Sequence, residues 1–155
     1  MSSPNPETPG VAPYLTVSDA NAAIDFYRRA FGAQEISRQV GQDGKKLMHA
    51  ALMINGGMVM MSDDFPEFNE GKSSTPEAFG GSPVTIHLNL PDVDAVWQQA
   101  VDAGAIVTMP LADQFWGDRY GQIVDPFGHR WSLATHVRDL TPEEMDAAMQ
   151  QDAGS

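Results

Sequence analysis

Apolar and polar residues alternate strictly between residues 83 and 90. In an extended strand, alternate side chains share one side, so the two sets point in opposite directions: Val84, Ile86, Leu88 and Leu90 against Thr85, His87 and Asn89. The apolar side can lie under the helix that the next residues, 92–103, predict. The polar side must then border water or a ligand. This combination predicts a sheet that curves around a cup, with helices on the outside.

The same order of elements occurs twice along the chain. Strands are predicted at residues 11–17, 34–40, 46–54 and 58–62, and again at 83–90, 106–112, 116–125 and 130–135. A helix follows the first strand of each set, capped by Ser18 or Asp19 in one case and by Asp92 in the other, and ended by Gly32 or Gly104. Aligning Asp19 with Asp92 requires only a one-residue gap. These are two βαβββ repeats, each too short to bury a core alone, so we expect them to pair.

The fold class predicted is α+β: two βαβββ repeats form a curved mixed sheet around a cup, with a short C-terminal helix. The domain spans residues 11–136, with repeat one at 11–63, a linker at 64–82 and repeat two at 83–136. Residues 1–10 are a disordered lead-in, and the linker stretch, rich in turn residues, is a linker or a mobile flap. In the segment 137–155, Thr141 and Glu144 form a capping box for a helix to about Gln151. That helix packs either on its own domain or on a second subunit.

Charge and composition remove several classes of function. Among 155 residues there are 9 Lys and Arg against 21 Asp and Glu, which gives a net charge of −12. An acidic protein repels nucleic acid and anionic membranes, so we expect neither as a partner. The chain has no cysteine, hence no disulfide and no thiolate chemistry. No apolar run resembles a signal peptide or a membrane span, and the expected location is the cytoplasm.

Three local motifs carry a resemblance to a known family. Residues 14–19 (YLTVSD), 26–32 (FYRRAFG) and 125–131 (DPFGHRW) resemble the vicinal oxygen chelate superfamily over about residues 11–136. This superfamily includes glyoxalase I, extradiol dioxygenases, and bleomycin and fosfomycin resistance proteins. Residues 116–121 (WGDRYG) are similar to its PhnB-like branch. The resemblance implies two four-stranded units around a cup, helices outside, and a homodimer.

The resemblance also provides a test for a metal site. Metal-dependent relatives hold a divalent ion with one His or Glu from each of four strands. When each of these four ligand positions is transferred to this sequence, they fall on Ala12, within residues 58–62, on Thr85 and on Ser132. Alanine and methionine do not bind a hard cation, and neutral hydroxyls bind it weakly. We therefore expect no standard metal site and no cofactor.

A nonstandard zinc site is an alternative. It would combine His49 and His87 with Asp63 or Asp118, although no motif fixes their distances. The competing interpretation places both histidines in a hydrogen-bonding pocket or in the core. His129 is expected to be structural, and His136 exposed or interfacial.

A small-molecule site is predicted from the side chains that face the cup or its rim. The candidate ligand-binding residues are Tyr14, Thr16, His49, Met60, Thr85, His87, Trp116, Arg119, Arg130 and Ser132. Arg119 or Arg130 could pair with a carboxylate or phosphonate. Alternatively, Asp118 and Arg119 simply form a salt bridge that shapes a hairpin.

Three functions fit this sequence. The first, which we favour, is a small-molecule-binding protein of the glyoxalase and bleomycin-resistance type that lacks the usual four metal ligands. The second is a lyase, isomerase or dioxygenase with a nonstandard metal site, or with His87 as general base. The third is a dimeric interaction module whose cup is filled by its own side chains. The polar side of 83–90 favours the first over the third, since a filled cup would be apolar.

Overall fold

The fold was analysed in a computed structural model, which describes residues 9–153. The chain divides into two compact units with the boundary between Gly81 and Ser82, and each is described by itself. Each unit contains one βαβββ repeat, so the predicted repeat and the α+β class are confirmed. The enclosure of a cup by both repeats stays a prediction. Most of the predicted lead-in, residues 1–8, lies outside the described residues.

The first unit has a four-stranded mixed sheet with one long helix. Its elements are β1 (Tyr14–Val17), α1 (Ala20–Phe31), β2 (Gln34–Val40), β3 (Leu47–Ile54) and β4 (Gly57–Asp63). The strand order is β1-β4-β3-β2. Strand β1 runs parallel to β4, and the other neighbours are antiparallel.

The second unit repeats this topology. Its elements are β5 (Thr85–Asn89), α3 (Val93–Ala103), β6 (Ile106–Asp113), β7 (Asp118–Val124) and β8 (Arg130–His136), in the order β5-β8-β7-β6. The parallel pair is β5 with β8. The strands begin and end within three residues of their predicted bounds. One detail of the alternation differs from expectation, because Val84 precedes β5 and is 64% exposed while Leu88 is 6% exposed.

Helix α1 forms where the sequence provides a cap at each end and an apolar stripe between them. Asp19 accepts a hydrogen bond from the backbone N–H of Ala22 (3.0 Å), and Gly32 ends the helix in the left-handed region, with φ of 68°. The stripe packs on β3 and β4. Its buried residues are Ala20, Ala23, Ile24, Phe26, Tyr27, Ala30 and Phe31.

Helix α3 is capped in the same way but is less covered. Asp92 accepts from the backbone N–H of Ala95 (3.3 Å), and the helix packs on β6 and β8. Within α3 only Val93 and Ala100 are buried. The Trp97 ring lies over Gly121 of β7, where even a methyl group would come within 2.6 Å of the indole.

The stretch predicted to be a linker or a flap has local structure of its own. It contains a 3₁₀ turn at Pro66–Phe68 and the short helix α2 (Pro76–Phe79). The Asp64 carboxylate accepts from the Ser73 hydroxyl (2.5 Å) and from the backbone N–H of Ser74 (3.1 Å). These bonds fold residues 64–81 into the first unit.

The C-terminal helix α4 (Pro142–Ala153) begins with the predicted capping box. The backbone N–H of Glu144 donates to the Thr141 hydroxyl (3.1 Å), and the Thr141 N–H donates to the Glu144 carboxylate (3.4 Å). None of the helix residues that the structure describes is buried. Across residues 9–153, no helix has the length and apolar character that a membrane crossing requires.

Candidate functional site

The sheet of the second unit has one apolar and one polar face. Trp131 and Leu133 point toward α3 and are completely buried. The opposite side, here called the polar face, is defined by strand register. Its polar and aromatic side chains include Thr85, His87, Asn89, Tyr120, Gln122, Arg130 and Ser132, and the smaller apolar residues Val124 and Ala134 lie among them. The alternation in β5 thus continues across β8 and β7, and the predicted polar side becomes a surface three strands wide.

His87 is the centre of a hydrogen-bonded row on the polar face. Its Nδ1 lies 2.7 Å from Oγ of Ser132, and its Nε2 lies 2.9 Å from Oδ1 of Asn89. Because an amide oxygen can only accept, Nε2 donates to Asn89, and in the neutral ring Nδ1 accepts from the Ser132 hydroxyl. Both nitrogens of His87 are therefore engaged, and the ring is held in one orientation.

Aromatic side chains form a wall beside this row. The Tyr120 ring stacks on His87, with centroids 6.0 Å apart, and Trp116 meets Tyr120 edge to face at 5.4 Å. Gln122 donates to the Tyr120 hydroxyl (2.9 Å), and the Trp116 indole N–H donates to Asp118 (3.2 Å). The polar face thus combines flat rings with fixed hydrogen-bonding groups, a composition typical of small-molecule sites.

The two arginines predicted to meet a ligand lie on opposite sides of the sheet. Arg130 shares the face of His87 and Ser132, and is partly exposed. Arg119 points to the other side, where it binds Asp94 of α3 (3.0 Å) and Asp113 of β6 (3.2 Å). The hydrogen bonds that Arg119 donates to Asp94, and then to Asp113, raise the pKa of Arg119 further above its ordinary value. The alternative of an Asp118–Arg119 salt bridge is wrong, because both carboxylates that bind Arg119 come from other elements.

The remaining predicted residues lie in the first unit. The Tyr14 hydroxyl is 3.1 Å from Nδ1 of His49, and Tyr14 is 52% exposed. Met60 on β4 is the register partner of Tyr14, and Thr16 lies two residues further along β1. Register places Ser62 and Gln39 on this face as well, together with Met53 and Met58.

His136 lies at the exposed end of β8. Its Nδ1 is 2.9 Å from Asp118 and its Nε2 is 2.6 Å from Asp139. Hydrogen bonds to Asp118, and then to Asp139, raise the pKa of His136. His129 lies in the turn before β8, where its backbone N–H donates to the buried carboxylate of Asp125 (3.0 Å). Both positions agree with the sequence-based expectations.

The residues present do not fit a chelated divalent ion. Ser132, at one of the positions that hold a metal ligand in metal-dependent relatives, hydrogen-bonds His87. Thr85, at another of these positions, lies opposite Arg130 in the pair of strands β5 and β8. Asp63, considered for a nonstandard site, is buried and accepts from the backbone N–H groups of Ala20 (2.8 Å) and Leu47 (2.7 Å). No group of three His, Asp or Glu side chains within residues 9–153 could hold a metal ion.

Sequence reasoning left Gln122 unassigned and kept Asn89 and Tyr120 out of the ligand set. All three lie on the polar face. The signal for Gln122 was present, since residues 118, 120 and 122 alternate with Gly121 and Ile123 along the predicted strand. What the pattern lacked was the register between β7 and β8, which places Gln122 opposite Ser132.

The fold defines a protein of the glyoxalase-like class, built from two βαβββ units. The family model for the Glyoxalase/Bleomycin resistance protein/Dioxygenase superfamily matches residues 11–133, and the chain belongs to this superfamily.

Individual relatives agree with this assignment. The chain is 56% identical over 141 residues to the uncharacterized protein Mb0911c of Mycobacterium bovis, covering 91% of this chain and 92% of that protein. The crystal structure of TioX from Micromonospora sp. ML1 superposes with a TM-score of 0.64 at 29% identity, covering 84% of this chain and all of that one (100%). A PhnB protein from Bacillus cereus shares the fold, with a TM-score of 0.60 at 19% identity over 82% of this chain and 99% of that one.

Proposed function

We propose that this protein binds a small organic molecule on the polar face of its second unit, without a chelated metal ion. The observation that carries the proposal is the row Asn89–His87–Ser132, in which both bonds are 2.9 Å or shorter. The row lies beside the stacked Tyr120 ring. Fixed polar groups give orientation, and flat rings give contact area, so a planar ligand with hydrogen-bonding groups fits best.

Membership of the superfamily supports this proposal without deciding it. The family includes proteins that bind their ligand and proteins that transform it, and its name covers both. At Thr85 and Ser132, the hydroxyl side chains favour binding over metal-assisted chemistry, because neutral hydroxyls are weak ligands for hard divalent cations. Arg130 on the same face favours a ligand that carries a carboxylate or a phosphonate.

The test has two parts, and the first concerns metals. Elemental analysis of untagged protein, before and after exposure to Zn, Ni, Mn and Fe(II), should find no stoichiometric ion. One tightly held ion per chain would contradict the proposal and would turn attention to His49 and His87.

The second part is a ligand screen by thermal shift, followed by titration of each hit. We expect His87→Ala and Gln122→Ala each to lower the affinity for a ligand of this site by roughly tenfold, since each removes a hydrogen-bonding group from the site. Gln98→Ala is the matched control, because Gln98 lies on the exposed side of α3, where it bonds Asp102 of the same helix. Hits that bind equally well to all three variants would place the site elsewhere.

An enzymatic role for His87 receives less support. A general base needs a lone pair directed at the substrate, and here Nδ1 faces the Ser132 hydroxyl while Nε2 faces Asn89. If a turnover is found, His87→Ala should abolish it without unfolding the protein. Unchanged turnover in that variant would remove His87 from the mechanism.

A second candidate, self-association, is favoured by exposed apolar side chains near strand edges. Val84 is 64% exposed, Ile106 is 62% exposed and Ile36 is 49% exposed. Ile36 lies on β2 and Ile106 on β6, each an edge strand of its sheet, and Val84 directly precedes the edge strand β5. An exposed edge strand offers unpaired backbone groups to a second copy of the chain. We propose a homodimer, to be tested by sedimentation equilibrium. A monomer at all concentrations up to about 100 µM, far above a typical specific Kd, would exclude it.

A further inference from the structure

A separate pocket lies in the first unit, at the turn between β2 and β3. Its volume is about 400 Å³, within the range of small-molecule sites. One wall comes from the β2–β3 connection, residues 40–43, 46 and 48, and the other from the turn after β4, residues 65, 67 and 68. Neither Tyr14 nor His49 contributes, and the polar face belongs to the other unit, so this pocket is independent of the function proposed above.

The pocket exposes apolar side chains in a concave setting. Phe68 is 76% exposed, Val40 53% and Met48 45%. The rings of Phe65 and Phe68 lie 5.9 Å apart at an angle of 43°. Large apolar side chains gathered around one cavity indicate a surface that gains stability when an apolar group fills it.

The charges around the pocket are two carboxylates and one ammonium group, from Asp43, Glu67 and Lys46. Lys46 is already engaged, because its Nζ donates to the carbonyl of Asp64 (2.9 Å) and lies 5.0 Å from the centroid of the Phe65 ring. Asp43 is held ionised by the backbone N–H groups of Lys45 and then Lys46, which lower its pKa. Both of those bonds go to the same oxygen, Oδ1.

Glu67 makes no hydrogen bond or ion pair with the rest of residues 9–153. An ionised carboxylate beside exposed phenylalanine rings attracts a cation by charge and by the ring quadrupole together. The net charge of −12 adds a field of the same sign. An anion would meet two carboxylates here and a single lysine that is directed at a carbonyl and a ring.

We propose that this pocket binds an organic cation with an apolar body, such as an arylalkylammonium or quaternary ammonium compound. The apolar body lies against Phe68, Val40 and Met48. The cationic group lies toward Glu67 and Asp43. Phe65, which already accepts the Lys46 ammonium over its ring, shows that this wall accommodates a positive charge.

Titration of the full chain with benzyltrimethylammonium, followed by amide NMR at low salt, tests the proposal. We expect shifts in the backbone signals of residues 40–48 and 65–68, and an affinity that falls as salt is added. The probe 3-phenylpropanoate has a similar apolar body with the opposite charge and should bind more weakly. Equal or tighter binding of 3-phenylpropanoate, or no shift in these segments with 10 mM of the cation, would overturn the proposal.

Two variant pairs locate the site. Phe68→Ala should lower the affinity for the cation by roughly two- to fivefold or more. Phe79→Ala should leave the affinity unchanged, although Phe79 is also a phenylalanine of this unit and is 71% exposed. Glu67→Gln should lower the affinity for the cation and make that affinity less dependent on salt. Glu77→Gln on α2 should change neither the affinity nor its salt dependence. Equal effects within either pair would overturn the assignment. So would a loss of self-association in Phe68→Ala, because the pocket would then be an interface between copies.

Discussion

The two units of this protein share a topology but differ in how their helices are covered. Helix α1 buries seven of its twelve residues against its sheet, including Phe26 and Tyr27. Helix α3 buries two of eleven, and Trp97 stays partly exposed. Burial of large side chains dominates stability, so the first unit has the better-anchored helix. The repeat therefore does not imply equal cores.

The sheet faces opposite the helices differ as well. In the first unit, Tyr14 and His49 form a hydrogen-bonded pair on a face that also carries Met53, Met58 and Met60. In the second, His87 is joined to Ser132 and Asn89 in a continuous row. Strand order and helix caps are the same in both units, whereas these side chains are not. The scaffold is repeated, and the side chains on the sheet face opposite the helix differ between the two copies.

One stabilising device occurs in both units, which is a buried aspartate that binds backbone N–H groups. Asp63 is 5% exposed and accepts from two N–H groups, those of Ala20 and Leu47. Asp125 is 1% exposed and accepts from Phe127 (2.9 Å), His129 (3.0 Å) and the indole N–H of Trp131 (2.9 Å). The second unit thus depends on its aspartate for one more bond.

Asp125→Ala should therefore have the largest effect. It removes the acceptor of three hydrogen bonds that are buried or partly buried, and we expect it to lower the free energy of unfolding by about 3–5 kcal/mol. Asp63→Ala should cost about 2–4 kcal/mol, since two donors are affected. Urea denaturation followed by far-ultraviolet circular dichroism measures both.

Tryptophan fluorescence adds a reading specific to one unit. The three tryptophans, at positions 97, 116 and 131, all lie in the second unit. Asp125→Ala should shift the fluorescence midpoint at least as far as the dichroism midpoint. A larger cost for Asp63→Ala than for Asp125→Ala would contradict the expectation that the number of hydrogen bonds sets the loss of stability.

Gly121→Ala should have an intermediate effect. A Cβ atom at Gly121 would lie 2.6 Å from the Trp97 ring and 3.0 Å from Cα of Leu111, so α3 must move away from its sheet. We expect a cost of about 1–3 kcal/mol by urea denaturation. Gly57→Ala in the first unit is the control, because its nearest neighbour would be the carbonyl oxygen of Ile54 at 3.6 Å. Combining Gly121→Ala with Trp97→Leu should recover part of the loss. No recovery would mean that the strain lies in β7 itself.

Much of the fold was predictable because its signals are local. The caps Asp19 and Asp92 and the stops Gly32 and Gly104 mark both helices in the sequence, and the structure shows those residues at the helix ends. The capping box of α4 was equally local. Alternation marked the strands to within three residues, since the side-chain period of two does not depend on distant contacts.

The site was less predictable because it depends on register between strands that are far apart in sequence. Arg119 illustrates this. Its neighbour Asp118 suggested a salt bridge, but successive residues of a strand point to opposite faces, and Arg119 instead binds Asp94, 25 residues away. The pairing of His87 with Ser132 spans 45 residues. The sequence alone does not show which of these distant residues become neighbours in the sheet.

His136 joins β8 to Asp118 of β7 and to Asp139 before α4, and these contacts should depend on pH. The expected effect on stability is smaller than that of Gly121→Ala. Hydrogen bonds to Asp118 and Asp139 raise the pKa of His136 above the ordinary histidine value of about 6.5. A raised folded-state pKa means that the contribution to stability is complete below about pH 6.5 and is lost as pH rises through the folded-state value. Histidine proton titration by NMR should show this. Asp118→Asn should lower the pKa of His136 more than Asp139→Asn does, and the reverse order would contradict the assignment of Asp118 as the stronger partner.

The smallest global effect should come from Thr141→Ala, which removes the cap of α4. The lost hydrogen bond from the Glu144 N–H to the Thr141 hydroxyl weakens the helix by about 1 kcal/mol, and amide exchange within residues 142–153 should accelerate accordingly. Because no described residue of α4 is buried, the urea midpoint should stay where it is. Asp19→Ala removes an equivalent cap, but α1 is packed on its sheet, so there the same loss of about 1 kcal/mol should appear in the global free energy of unfolding. If Thr141→Ala lowered global stability as much as Asp19→Ala, α4 would be packed in solution against a surface, and a second copy of the chain would be the first to test.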